Sequence, residues 1–255
     1  MAETLQMSGA GQTIQAIEAA AQASSLLSGN GVRYARYGDL GPVSRDLERL
    51  VGTVPRAMSE ALGKTVFYFV PLAIPAARDQ VEDRGALVAP MYTEALAERA
   101  ICHRNVKLAD HEGVFLSARL HADSFALAFE LFINVAHGFV DTAGVHSEFS
   151  DLVWSQARAA VKGETSHDAW EMREKALPKE GAADEKAKTE FLEAAFVDAL
   201  AIYMLSLYLD VDYADLRERD YPLLDARALA DRLRAVNKLF PANAGYTFAI
   251  RYRRR

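Results

Sequence analysis

Cysteine is almost missing: Cys102 stands alone among 255 residues. No internal disulfide can form, and zinc modules built on two or four thiolates are excluded. Cys102 beside His103 is expected to be a buried structural thiol, because neighbours in sequence point in different directions on regular structure. Basic clusters are equally scarce. Lys and Arg number 29 against 35 Asp and Glu, for a net charge of -6. Phosphate recognition rests on grouped Lys and Arg, so nucleic acid is not the expected partner. The exception is RYRRR at the C-terminal end, which reads as a solvated tail. No stretch reaches about 18 apolar residues without a charge, and MAETLQMSGAGQ at the start has neither a basic segment nor an apolar stretch of signal length. The expectation is a cytoplasmic protein with no transmembrane segment. Dinucleotide, Walker and nucleophile-elbow patterns are lacking, as are internal repeats.

What is present is a half-apolar composition, 51% by residue, enough for one large domain or two small ones. Residues 12–27, QTIQAIEAAAQASSLL, are Ala-rich and end at SGNG, predicting a helix within an N-terminal helical extension over 1–30. VSRDLERLVGTVPRAMSEAL has helical spacing that Pro55 splits in two. TVFYFVPLAI, between Gly63 and Pro71, reads as a buried strand. PAARDQVEDRGALV reads as a loop or short exposed helix, and MYTEALAERAICHR as a helix ending near Arg104. NVKLA and GVFLSARL, joined by the polar DHE turn, predict a hairpin.

HADSFALAFELFINVAHGFVD follows, capped by Asp123 or Ser124, with apolar residues on most sides as far as about residue 140. From 146 the composition turns polar, and KALPKEGAADEKAK predicts a flexible segment near 176–189. TEFLEAAFVDALAIYMLSLYLDV is a second long buried helix. Asp210, Asp212 and Asp215 come next, without the glycine and closing glutamate of a calcium loop. DARALADRLRAVNKLF is an amphipathic last helix stopped by Pro241, and GYTFAIRY an edge strand. The expected architecture is α+β and helix-dominated, with a small, mainly antiparallel sheet packed on a central buried helix. Residues 31–255 are expected to form a single globular domain.

Four polar side chains interrupt the central helix: Glu130, Asn134, His137 and Asp141. Their spacings of four, three and four residues stack them on one narrow face. An unpaired carboxylate in an apolar core costs several kcal/mol, so Glu130 must be paired, protonated or facing a cavity. HGFVDTAGVH adds His146, giving two imidazoles and a carboxylate within ten residues, a donor set suited to zinc or another divalent metal. Glu190, Glu193 and Asp198 of the second long helix are possible partners. A satisfied hydrogen-bond ladder that fixes helix register would give the same pattern.

The order of strand, hairpin strand GVFLSARL, central His-bearing helix and later helix FLEAAFVDALAIYML, over residues 64–208, resembles the zincin metallopeptidases. In that family the central helix carries HExxH, two zinc-binding histidines and a water-activating glutamate, and a later helix supplies a further ligand. If INVAH stands in that place, Ile133 and Asn134 replace the first ligand and the base, leaving His137. If HGFVD stands there, the resemblance implies His137, Asp141 and His146 as zinc ligands with Glu193 from the later helix. Gly138 then holds the position of the base, and Glu130 or Glu148 would have to substitute for it. Glu193 and Asp198 are five apart, where the family spaces its glutamate ligand and supporting aspartate by four.

Three readings follow. The first is a zincin-like scaffold with a degenerate site, Glu130 and Asn134 near the old catalytic position, that binds a peptide, protein or small ligand. The second is a metal-dependent hydrolase with a His137, Asp141, His146 and Glu193 shell. The third is a structural or interaction protein held by a buried polar network.

Overall fold

The computed structural model describes residues 13–76, 86–119, 124–177, 184–209 and 221–249. In chain order the elements are β1 (Ile14–Gln15), α1 (Ala16–Gln22), β2 (Ser24–Leu27), β3 (Arg33–Arg36), α2 (Leu47–Gly52), β4 (Thr65–Val70), β5 (Leu72–Pro75), β6 (Ala86–Ala89), α3 (Glu94–Ala97), β7 (His103–Lys107), β8 (Glu112–Ser117), α4 (Ser124–Ala143), α5 (Ser147–Arg158), α6 (His167–Ala176), α7 (Glu185–Tyr208) and α8 (Ala226–Leu239). Short 3-10 turns stand at Gly41–Arg45 and Arg56–Met58. The class is α+β and helix-dominated. The chain divides into two compact units, residues 1–51 with 63–130, and residues 52–62 with 131–255, the division falling inside α4.

The first unit holds both sheets. β4, TVFYFV, is buried from Val66 to Val70, and a continuous apolar run is what a strand covered on both faces requires. It pairs in parallel with β3 and with β8, while β2 and β7 add antiparallel strands at the two edges in the order β2-β3-β4-β8-β7. At Pro71 the chain leaves this sheet. β5 then joins a second, antiparallel sheet of order β1-β6-β5. Ala16 and Ala19 of α1 and Ala73, Ala86 and Val88 of the small sheet share one core with Ala35, Val66, Tyr68, Val70 and Phe115 of the large one. The small alanines let helix and sheet approach closely.

The second unit is helical. α4 and α7 lie antiparallel, since Phe132 meets Tyr208 and Phe139 meets Phe196 edge-to-face. Phe149 of α5 and Phe240 after α8 complete the aromatic core around Phe196. By length and composition α4 and α7 could each cross a membrane, but 50% and 72% of their apolar windows are buried within the structure, the position of core helices. Asn243 fastens the 52–56 segment: its side-chain amide donates to the carbonyls of Gly52 and Val54 and its Oδ1 accepts from the Arg56 amide, all within 2.9 Å.

The hairpin, α4, α7 and α8 fall where periodicity places them. Elsewhere the structure departs from expectation. The helix expected over 12–27 stops at Gln22, and Ser24–Leu27 form a strand instead, because pairing with β3 outweighs the weak helix preference of serine. α3 is a single turn, with β7 starting at His103. Ala86–Ala89 are a strand rather than loop or helix. α5 and α6 occupy a stretch that read only as a polar change of composition. No strand forms over 245–249. The Asp210, Asp212 and Asp215 trio, the capping Asp123, and residues 178–183 of the expected flexible segment lie outside the described residues.

Candidate functional site

Glu130, Asn134, His137 and Asp141 all lie within α4, so the stripe is real. Its environment changes along its length. Asn134 is 5% exposed, Glu130 and His137 are half-buried, and Asp141 is open to solvent. His146 is also exposed, and it caps α5: its Nδ1 accepts from the Glu148 amide at 3.3 Å. A ring nitrogen accepting in this way is a local device for an orphan amide of the first turn. Glu148 in turn accepts from the Lys238 ammonium at 2.9 Å, which together with the charge of Lys238 holds its carboxyl below the usual range. Glu193 points to solvent from α7.

Among the described residues no three His, Cys, Asp or Glu side chains gather closely enough to hold one ion. His137, Asp141, His146 and Glu193 therefore do not fit a shared zinc shell in this conformation, which would need three or four donors about 2.0–2.2 Å from one point. The structure converges polar groups elsewhere, on Glu164, a residue that the sequence does not single out.

Glu164 is fully buried. The Arg232 guanidinium of α8 donates to both of its oxygens, at 2.8 and 3.2 Å. Arg173 of α6 adds a third contact at 3.2 Å. The remaining donors are also placed. Arg232 Nε donates to Gln156 Oε1 at 2.8 Å, and Gln156 Nε2 donates to the Ala228 carbonyl. Arg173 donates to the carbonyls of Gly163 and Val161. The backbone is held as firmly. The Glu164 amide donates to Pro222 and its carbonyl accepts from Leu224, a parallel bridge that lays residues 162–165 beside 222–225. Gly163 makes this approach possible: its φ is +78° and an added Cβ would stand 2.1 Å from the Leu223 carbonyl oxygen.

Asp198 of α7 borders this cluster. It accepts from the Thr165 hydroxyl at 2.7 Å and from the Ser166 hydroxyl. Burial nevertheless pushes its carboxyl up to about 6, against the opposing pull of those hydroxyls and of Arg232. Tyr221 closes the site by donating to the Thr165 carbonyl at 3.0 Å.

A second polar line fastens the β7–β8 turn in the first unit. Asp110 Oδ1 is 2.6 Å from His111 Nδ1, and His111 Nε2 is 2.7 Å from the Tyr68 hydroxyl. An ionised carboxylate only accepts, so the proton sits on Nδ1 and Nε2 accepts from the phenol when the imidazole is neutral. Tyr68 is buried and stacked on Phe115 at 4.6 Å. The arrangement has the order of a relay, but its terminal hydroxyl is inside the core.

No family model, curated protein or solved structure matches the chain.

Proposed function

We propose that the protein is a zincin-like scaffold without standard metalloprotease chemistry, which works by binding a peptide or protein. The observation that carries this reading is the buried ionic cluster of Glu164 with Arg173 and Arg232, whose hydrogen bonds run to internal partners. Catalysis needs groups free to change partners at the reacting atoms. Glu164, Arg173 and Arg232 have no such freedom, and their arrangement suits a fixed frame. Support for the scaffold comes from the element order: β4, the β7–β8 hairpin, α4 and α7 come in that sequence along the chain, with β5, β6 and α3 before the hairpin and α5 and α6 between the two long helices. Support for a binding role comes from exposure. Ile17, Leu27, Met91, Tyr92 and Ile101, the large apolar side chains exposed among the described residues, all belong to the first unit.

The experiment is a peptide-library digestion at neutral pH, with and without added zinc, read by mass spectrometry. The expected outcome is no cleavage above the buffer control. Cleavage that disappears in His137→Ala, with the variant's melting temperature unchanged, would establish the hydrolase reading instead.

A further inference from the structure

His103 opens β7, the edge strand of the large sheet, and its ring lies against β5 of the small one. The imidazole donates to the Ile74 carbonyl. The donor is Nδ1, because Nε2 is shut off from solvent and has no hydrogen-bond partner. Two residues earlier the Ile101 amide donates to the Ala73 carbonyl at 2.9 Å. Residues 101–103 thus clasp the edge strand onto β5. The joint beneath is separate: Ser117 of β8 is fully buried, and its hydroxyl accepts from the Ala73 amide at 2.9 Å. Beyond His103 the pairing of β7 with β8 is interrupted by a bulge before Val106, with Asn105 at φ +57°. The ladder therefore does not hold this end continuously.

We propose that His103 is an acid-operated clasp: a proton on its Nε2 releases residues 101–103 from β5, while β5 and β8 stay joined through Ser117. A neutral ring leaves only an acceptor lone pair unfilled at Nε2. A protonated ring puts a charged N–H there with no acceptor to receive it. Among the described residues the elements packed on β7 bring no counter-charge: β5 has no charged residue, and Glu112 of β8 stands opposite Lys107 at the far end of the strand. Along β7 itself the neighbours are Cys102 and the cations Arg104 and Lys107. Burial holds the imidazole below its ordinary value of 6.5, against the opposing pull of the Ile74 carbonyl. The folded state therefore binds this proton less tightly than the unfolded state does. The clasp is engaged above 6.5 and is lost as pH falls below that value. Exposed Met91, Tyr92 and Ile101 lie in the connection between β6 and β7 that the clasp pins, so its release also changes an apolar surface.

The test is residue-resolved hydrogen exchange by NMR on the full chain at about pH 7.5 and about pH 5, corrected for the intrinsic rate, with the His103 ring titrated alongside. The ring should titrate below 6.5. Protection of the Ile101 amide should fall by about tenfold or more on acidification, while the Ala73 amide keeps its protection. His103→Asn, whose side-chain amide stands in for the Nδ1 donor and cannot ionise, should protect Ile101 equally at both pH values. A wild-type ring that titrates at 6.5 or above overturns the proposal without recourse to a variant. So does a wild-type Ile101 amide equally protected at both pH values, or one that loses protection together with Ala73, since the sheets then open as a whole. Acid loss that persists in His103→Asn overturns it as well, because another group is then responsible.

Discussion

Glu164→Ala is expected to destabilise the second unit by about 3–5 kcal/mol, the cost of leaving buried charges without their counter-ion. Arg232 is 0% exposed and Arg173 nearly so, and both lose their carboxylate in this variant. A domain is typically stable by only about 5–15 kcal/mol, so the loss is a large share of the total. The pair is tested more sharply by a cycle. Arg232→Met alone strands the carboxylate with Arg173 only, whereas Glu164→Met combined with Arg232→Met removes both members of the strongest contact. The double variant should cost less than the sum of the singles, because each single leaves a charge that the double does not. Urea denaturation at neutral pH reads wild type, Glu164→Ala, the Glu164→Met and Arg232→Met singles and the double. A Glu164→Ala unfolding free energy within about 1 kcal/mol of wild type would mean that the cluster is solvated rather than buried.

Asp198→Asn should change the pH dependence of stability. The Asp198 carboxyl is raised from 3.8 to about 6 by burial, so the folded state binds its proton more tightly than the unfolded state does. Its contribution is therefore most favourable below the unfolded value and is lost as pH rises through about 4 to about 6, amounting to about 3 kcal/mol above that window. Replacing the carboxylate with an amide keeps an acceptor for Thr165 and removes the ionisation. The variant should gain stability relative to wild type as pH rises across the window, with a level difference at neutral pH. Glu48 acts in the opposite sense, since its hydrogen bond from Tyr34 holds its carboxyl low, so the difference between the two proteins, and not the wild-type curve, isolates Asp198. A difference independent of pH from about 4 to about 7 would contradict the account.

Much of the helical frame was legible because long apolar periodicities leave little choice. α4, α7 and α8 each repeat apolar residues at three and four positions, and the DHE turn between two β-rich runs leaves a hairpin as the shortest connection. β2 was hidden by its composition, since alanine and serine continue the helical pattern of α1 and only the neighbouring β3 decides otherwise. α5 and α6 were hidden by their charge, which resembles that of a loop. The polar stripe of α4 was visible as spacing, but spacing does not say whether Asp141 and His146 turn inward, and both face solvent.

Glu164 illustrates the harder case. In KGETSHD it looks like any surface acid, and its partners lie 9 and 68 residues further along the chain. A signal existed in the partner. Arg232 sits three residues after Leu229 and four before Val236, on the buried face of α8, and an arginine on an apolar stripe requires a buried acceptor. Arg173 stands likewise between the buried Ala169 and Ala176 of α6. Two such arginines on separate helices pointed to a shared carboxylate, although not to which one.

Elemental analysis of protein purified without chelator bears most directly on whether the polar stripe of α4 holds a metal. The account predicts zinc and iron far below one ion per chain, unchanged in His137→Ala. One ion per chain in the wild type, lost from a His137→Ala variant that melts as a folded protein, would contradict it.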